Sequence, residues 1–256
     1  MPTAAGCYYF AHEADNHSRP PVILIHGAGG NHLSWPPHLR RLPNQRMFAL
    51  DLPAHGRSEG LGHHTIKDYV HDALEFISEV GIYSAILVGH SMGGAIALSA
   101  AIHFPDRVTA LGLIGSGARL RVAPALLSAA SNPSTFANAV QTINDASFSS
   151  HSGRIKELST QRMMGTRPTV LYGDLMACDA FDITNQLSKL SRPTLVVCGS
   201  DDQMTPLRYS EFLRDRISGA RLEVVPNAGH MVMLEQPDIV SNLLADFLNS
   251  IPYHSG

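Results

Sequence analysis

The chain alternates short apolar runs with amphipathic segments, and this alternation limits the folds that it can adopt. Six runs of strand length are mostly continuous in hydrophobicity, as strands buried on both faces should be. They cover residues 21–25, 47–50, 85–88, 108–114, 194–197 and 222–225. Segments with apolar residues at three-to-four spacing cover residues 66–80, 92–104, 207–217 and 239–248. This alternation predicts an α/β protein with a mostly parallel, doubly wound sheet.

The alternation breaks between residues 119 and 190, where the pattern predicts only helices. The candidates cover residues 124–130, 133–143, 154–164 and 168–180, each with Pro, Ser or Asn near its start. A helical excursion inside a wound sheet usually packs over the carboxyl edge of the strands, where such folds bind ligands. We therefore expect a core of residues 1–118 and 191–256 and a helical cap of residues 119–190. A helical layer that serves only stability is the alternative.

Composition narrows the classes of partner. The 256 residues suit one large α/β domain, and 19 basic against 22 acidic residues give a net charge of −3 without a dense run of one sign. This balance argues against binding to nucleic acid or to an anionic membrane, so we expect a small-molecule partner. No stretch approaches the ~20 apolar residues of a membrane span, and the first residues lack the features of a signal peptide. We expect a cytoplasmic protein.

Cysteine and histidine usage bears on disulfides and metals. Cys7, Cys178 and Cys198 are odd in number and widely spaced, which argues against a disulfide framework and indicates packing roles. None of the 14 histidines belongs to a cluster with the spacing of metal ligands. The sequence therefore predicts no metal site.

A candidate nucleophile follows the third of these strands. The segment Gly89-His90-Ser91-Met92-Gly93 is a GxSxG motif between a predicted strand and a predicted helix. Glycines two residues before and after the serine allow a tight turn that lifts the hydroxyl clear of the backbone. A turn that contains glycine and serine can also simply cap a helix, so the motif indicates a nucleophile only together with a base and an acid elsewhere in the chain.

A serine hydroxyl needs a base to take its proton and an acid to orient that base. His230 follows the predicted strand 222–225, and Asp201 and Asp202 follow the strand 194–197. Parallel strands place these loops at the edge where Ser91 is expected. His26 and His90 are rival bases, but each belongs to a motif with its own role in a turn.

A glycine-rich segment follows the first strand, with the sequence His26-Gly27-Ala28-Gly29-Gly30. Its backbone amides could stabilise the negative oxygen that forms when an acyl carbon is attacked, and Ala28 and Met92 are the candidate donors of this oxyanion hole. An ordinary glycine turn and a phosphate loop are alternatives, although the lysine of a phosphate loop is missing.

Over nearly its whole length the chain resembles the α/β-hydrolase superfamily, of the capped serine carboxylesterase and lactonase type. Further matching segments are Asp51-Leu52-Pro53-Ala54-His55-Gly56-Arg57-Ser58 and Gly229-His230 before Glu235-Gln236-Pro237. The resemblance implies Ser91 as nucleophile, Asp202 as orienting acid, His230 as base and residues 51–58 as a structural loop. It selects Asp202 because the acid lies three residues after Gly199 and four before Pro206. Ala54 departs from the pattern, which usually has glycine there.

The resemblance implies a cofactor-free serine hydrolase that cleaves carboxylic esters of small to medium acyl groups through an acyl-enzyme. The few charges of the cap predict an uncharged substrate. A lactonase, a carbon–carbon bond hydrolase or a perhydrolase would use the same triad with a different pocket. A ligand-binding protein without turnover is the alternative from another class. The sequence does not identify the natural substrate or decide whether the chain forms a homodimer.

Overall fold

The computed structural model of the protein describes residues 2–14 and 19–252, and its centre is one eight-stranded sheet. All six predicted strands are present. The strands are β1 Thr3–Ala4, β2 Cys7–His12, β3 Val22–Ile25, β4 Met47–Leu50, β5 Ala85–His90, β6 Val108–Ile114, β7 Thr194–Gly199 and β8 Arg221–Val225. Their order across the sheet is β1-β2-β4-β3-β5-β6-β7-β8, so the predicted doubly wound α/β fold is confirmed.

The sheet is parallel from β4 to β8, and in the amino-terminal hairpin β2 is the strand that runs against it. β1 pairs antiparallel with β2, and β2 pairs antiparallel with β4 in a register that places Tyr9 opposite Leu50. The hairpin was not predicted, because β2 is partly exposed and lacks the continuous apolar run of the central strands. An antiparallel edge on a parallel sheet is common in α/β folds.

Ten helices surround or cover the sheet in the described residues. They are α1 Pro37–Arg40, α2 Ile66–Glu79, α3 Met92–His103, α4 Pro124–Ser131, α5 Phe136–Ser147, α6 Gly153–Met164, α7 Pro168–Ala180, α8 Leu207–Arg216, α9 Val232–Glu235 and α10 Pro237–Ser250. The short helices α1 and α9 were not predicted. Helix α5 begins three residues after the predicted start because residues 133–135 form a turn. None of these helices is long and apolar enough to cross a membrane.

Apolar side chains on both faces of the sheet form the core. One cluster packs α2 and α3 against the sheet and includes Tyr69, Phe76 and Leu98, all fully buried. The other packs α1 and α10 against the opposite face and includes Leu39 and Leu244. Burial on both faces explains why the central strands are continuously apolar.

Helices α4 to α7 form an insertion between β6 and β7, which we call the helical insertion (Pro124–Ala180). It has its own apolar cluster, in which Val140, Ile143 and Leu171 are buried. Ala28, in the loop after β3, packs against this cluster. The described residues between 119 and 190 form no strand beyond one isolated bridge between Arg119 and Asp182. The helical insertion therefore lies against the loops at the carboxyl edge of the sheet.

Candidate active site

Ser91 lies in the turn between β5 and α3, in a backbone conformation that few residues other than glycine adopt. Its φ is 52° and its ψ is −116°, a conformation that persists only where the surrounding structure enforces it. A Cβ at Gly89 would collide with the backbone of Gly93, and a Cβ at Gly93 would collide with the backbone of Ile25. The two glycines of the motif therefore permit the close packing that holds this serine in place.

The glycine-rich loop after β3 lies directly against the Ser91 turn. Strands β3 and β5 are neighbours, while β4 lies on the other side of β3, so the two loops leave the sheet where the winding reverses. A Cβ added to Gly27 would lie 3.1 Å from the Cβ of Ser91. The amide of Ala28 donates to no acceptor among the described residues. Met92 is fully buried and begins α3 directly after Ser91.

His230 and Asp202 form a buried pair, and His230 lines the same cavity as Ser91. The Nδ1 of His230 lies 3.0 Å from Oδ2 and 3.2 Å from Oδ1 of Asp202. The backbone amides of Met204 and Thr205 donate to Oδ1 of Asp202, and the hydroxyl of Thr205 donates to Oδ2. Burial raises the pKa of Asp202, but the attraction of His230 and these hydrogen bonds lower it below its ordinary value. Asp202 is therefore held as an acceptor that fixes the ring of His230.

The neighbouring acid, Asp201, points away from this pair. It is exposed and accepts a hydrogen bond of 2.7 Å from the hydroxyl of Ser200. Gly115, which follows β6, packs tightly against the pair instead: a Cβ there would lie 3.2 Å from Nδ1 of His230. Of the two candidate carboxylates, the structure thus brings only Asp202 to His230.

The rival histidines have backbone partners. The amide of Leu52 donates to Nε2 of His26, while Nδ1 of His26 lies 2.8 Å from the carbonyl oxygen of Gly27. The Nε2 of His90 donates to the carbonyl oxygen of His230 at 3.1 Å. Burial and the neighbouring imidazoles lower the pKa of His26 to about 4 and that of His90 to about 3. Both rings are therefore neutral supports of the site, and His90 in particular supports the backbone of His230.

Asp174, on α7 of the helical insertion, holds the glycine-rich loop from the other side. Its side chain is 0% exposed, and Oδ2 accepts from the amide of Gly29 at 2.8 Å and from Nε2 of His55 at 2.7 Å. Oδ1 accepts from the hydroxyl of Tyr69 at 2.5 Å. Nδ1 of His55 lies 2.9 Å from the carbonyl oxygen of Pro53, so a protonated imidazole satisfies both contacts. No sequence motif predicts this network, because its members lie far apart in the chain.

Glu235 links the His230 loop to the helical insertion. Its Oε1 accepts from the amide of Gly229 at 2.7 Å, and Oε2 accepts from the hydroxyls of Ser149 and Ser152 at 2.5 and 2.6 Å. The amide of Met231 donates to the carbonyl oxygen of Ser147 at 3.0 Å. The loops that carry Ala28 and His230 are thus both hydrogen-bonded to the helical insertion.

Ser91, His230 and Ala28 line one open cavity beneath the helical insertion. Its apolar lining comes mainly from the insertion and the loops around it, with Leu120, Val122, Ile143, Met163, Leu175, Met231 and Leu234. Arg121 and Arg162 also line it. Of the predicted site residues, Asp202 and Met92 are buried and do not line the cavity. The two arginines were not foreseen as part of the site, because neither belongs to a motif.

The structure holds no group of three or more His, Cys, Asp or Glu side chains placed to bind a metal ion, within residues 2–14 and 19–252. All three cysteines are free and buried, and burial raises the pKa of Cys7 to about 12 and that of Cys198 to about 11. Thiols of this kind remain protonated and act as packing groups.

Comparison with known proteins agrees with this geometry. A profile of the alpha/beta hydrolase fold matches residues 20–237, most of the chain. The protein belongs to the α/β-hydrolase family. A serine in a tight turn between a strand and a helix, with a histidine later in the chain, is typical of this family.

Similar proteins include hydrolases of several kinds. The chain is 26% identical over 239 residues to 3-oxoadipate enol-lactonase 1 of Acinetobacter baylyi, covering 91% of this chain and 90% of that protein. It is 32% identical over 244 residues to the pimeloyl-[acyl-carrier protein] methyl ester esterase of Neisseria meningitidis serogroup B, covering 89% and 92%. A solved structure of a thermophilic esterase is 31% identical with a TM-score of 0.82, covering 97% and 100%. These similarities support hydrolase activity without fixing the bond that is cleaved.

Proposed function

We propose that the protein is a cofactor-free serine hydrolase that cleaves carboxylic esters of small to medium acyl groups. The observation that carries the proposal is the pairing of His230 with Asp202 through Nδ1, at 3.0 and 3.2 Å. This pairing leaves the opposite ring nitrogen, Nε2, for a proton from Ser91, which lines the same cavity. The similarity to esterases supports the choice of an ester as the bond cleaved.

The reaction runs in two halves. Oγ of Ser91 attacks the ester carbonyl carbon while Nε2 of His230 takes its proton, and the resulting oxyanion accepts hydrogen bonds from the amides of Ala28 and Met92. The C–O bond to the alcohol breaks as His230 returns the proton to the leaving oxygen. Water, deprotonated by the same ring, then hydrolyses the acyl-enzyme and releases the acid. Asp202 stabilises the imidazolium formed in each half.

The proposal is tested with Ser91→Ala and p-nitrophenyl acetate or butyrate. We expect turnover to fall by about 10⁴–10⁶ because the nucleophile is lost, while the circular dichroism spectrum stays unchanged. A serine-directed phosphonate should add its mass to Ser91 in the wild type and fail to label the variant. Ser128→Ala, at an exposed position of α4, is the matched control and should keep full turnover. Near-normal activity in Ser91→Ala would overturn the proposal.

A lactonase is the second candidate, and the similarity to an enol-lactonase favours it. Hydrolysis of a lactone would use the same groups, but the leaving alcohol would stay attached to the acyl chain. Turnover of simple lactones beside open-chain esters separates the two. A kcat/KM for lactones far above that for every ester would replace the esterase proposal with the lactonase.

A further inference from the structure

The charges in the wall of the cavity point to the nature of the substrate. Among the described residues that line it, Arg121 and Arg162 carry full charges, and none is an aspartate or a glutamate. A cavity wall with one sign of charge attracts molecules of the opposite sign. The two arginines, however, differ in how far the protein already neutralises them.

Arg121 is matched by groups of the helical insertion and the segment that follows it. Its guanidinium lies 3.1 Å from Oδ2 of Asp182 and donates to the carbonyl oxygen of Asp179 at 2.7 Å. An arginine with a carboxylate partner of its own adds little net attraction for a ligand. Arg121 therefore ties the segment before α4 to Asp179 and Asp182 and is less suited to binding a substrate.

Arg162, on α6, has no such partner. Its guanidinium donates to the carbonyl oxygen of Leu33 at 3.2 Å, and no carboxylate of residues 2–14 or 19–252 lies within 4.0 Å of it. Arg40 adds positive charge nearby: burial lowers the pKa of Arg40, and repulsion from Arg41 and Arg162 lowers it further. The guanidinium of Arg162 thus retains unused donors in a region that already carries excess positive charge.

Polar side chains line the cavity around Arg162, and apolar side chains make up much of the remaining wall. Asn31, Ser34 and Ser159 line the same cavity as Arg162, whereas Val122, Ile143 and Leu175 belong to the apolar lining. One end of a substrate could therefore meet charged and hydroxyl groups while its chain lies on apolar surface. A carboxylate suits such an end, because a guanidinium can bind its two oxygens together.

We infer that Arg162 selects esters whose acyl part carries a free carboxylate at the end remote from the scissile bond. This inference rests on the proposed ester hydrolysis at Ser91 and adds the class of substrate. It replaces the uncharged substrate expected from the composition of the helical insertion. Arg162 acts here as a specificity determinant and takes no part in the bond cleavage.

The test compares p-nitrophenyl monoesters of adipic and suberic acid with the corresponding ω-carboxamides, which have the same shape without the charge. In the wild type we expect kcat/KM to favour the carboxylate about tenfold, the size of one well-made charge-assisted contact. Arg162→Gln should remove this preference through a higher KM for the carboxylate, with the carboxamide unchanged within about twofold. Arg162→Lys should restore part of it, since lysine keeps the charge but not the planar fork.

Arg154→Gln is the matched control, because Arg154 is exposed on the same helix but does not line the cavity. Arg154→Gln removes the same charge from the protein. An equal loss of the preference for the carboxylate in this variant would mean that the overall charge of the protein attracts the substrate, and would overturn the role of Arg162. Equal kcat/KM for carboxylate and carboxamide in the wild type would overturn the inference while leaving ester hydrolysis intact.

Binding of adipate against adipamide, measured by calorimetry, tests the same contact without turnover. We expect the wild type to bind adipate more tightly and Arg162→Gln to bind both alike. If no ester is turned over, the proposed function fails, and this measurement still decides whether Arg162 binds a carboxylate. Equal binding of adipate and adipamide by the wild type would refute the inference.

Discussion

Replacing Asp174 by asparagine should destabilise the protein far more than replacing an exposed acid. The carboxylate accepts three hydrogen bonds at 2.5, 2.7 and 2.8 Å from Tyr69, His55 and Gly29, and its side chain is fully buried. An amide offers one acceptor oxygen where three donors converge, and it leaves the His55 imidazolium without a counter-charge. Breaking a buried ion pair costs about 3–5 kcal/mol.

Asparagine keeps an acceptor for the Gly29 amide, so we expect the lower end of that range, about 3 kcal/mol. This is a large share of the roughly 5–15 kcal/mol that keeps a typical domain folded. Urea unfolding followed by circular dichroism measures it as a lower midpoint. The matched control is Asp145→Asn, which breaks an ion pair of 2.5 Å with Lys156 in which the Asp145 side chain is 54% exposed. That variant should lose no more than about 1 kcal/mol.

Asp174→Asn should also lower kcat for neutral esters, because Gly29, whose amide donates to Asp174, is the neighbour of the proposed oxyanion donor Ala28. Tyr69→Phe removes the contact to Oδ1 but leaves the contact of Oδ2 with Gly29, so it should lose stability and keep most of its kcat. A stability of Asp174→Asn within about 0.5 kcal/mol of the wild type, the range of an ordinary surface substitution, would refute this reasoning.

Three further predictions follow from groups that lie elsewhere in the site. Burial lowers the pKa of His55, but the attraction of Asp174 and the hydrogen bonds of the ring raise it above 6.5 overall. The pair of His55 and Asp174 therefore stabilises the fold fully below pH 6.5 and loses this effect as the pH rises through the raised pKa. The melting temperature should fall over that pH range, and the fall should be absent in Asp174→Asn. Asp202→Asn should lower ester turnover by about 10⁴, while Asp201→Asn should stay within about tenfold, and the reverse order in an ester assay would contradict the assignment. Ala54 has a φ of 70°, so Ala54→Gly should raise the free energy of unfolding by up to about 1 kcal/mol, and an unchanged or lower urea midpoint would argue against strain there.

The sequence predicted the parts of the fold that follow from local patterns. The central strands are recognisable because residues such as Ile23 and Leu87 continue apolar runs, and this continuity is what burial on both faces demands. The edge strand Cys7–His12 was not recognisable because its exposure varies along its length. The start of α5 was misplaced because Pro133 is typical both of a first helical turn and of the tight turn that it actually occupies.

In the candidate site, residues within motifs could be predicted and residues that complete them from a distance could not. Ser91 and His230 belong to short segments with recognisable glycines, whereas Asp174 is an ordinary acid within a helix. Its significance depends on contacts with Tyr69 and Gly29, which precede it by 105 and 145 positions in the chain, and no local pattern encodes such contacts. Arg162 escaped notice for the same reason, since the lack of a counter-charge is a property of the assembled cavity.

The bonds of Glu235 and Met231 make the His230 loop and the helical insertion one cooperative unit. The amides of Gly229 and Ser149 both donate to the Glu235 carboxylate, and the amide of Met231 donates to Ser147. The bonds from Ser149 and Met231 cross between the two segments, so their amides exchange with solvent hydrogen only when that contact opens, and the two should exchange at one common rate. The helical insertion therefore does not move independently of the His230 loop. Opening it would displace His230, and a shortened chain lacking residues 119–190 would lose the geometry of its base together with its pocket.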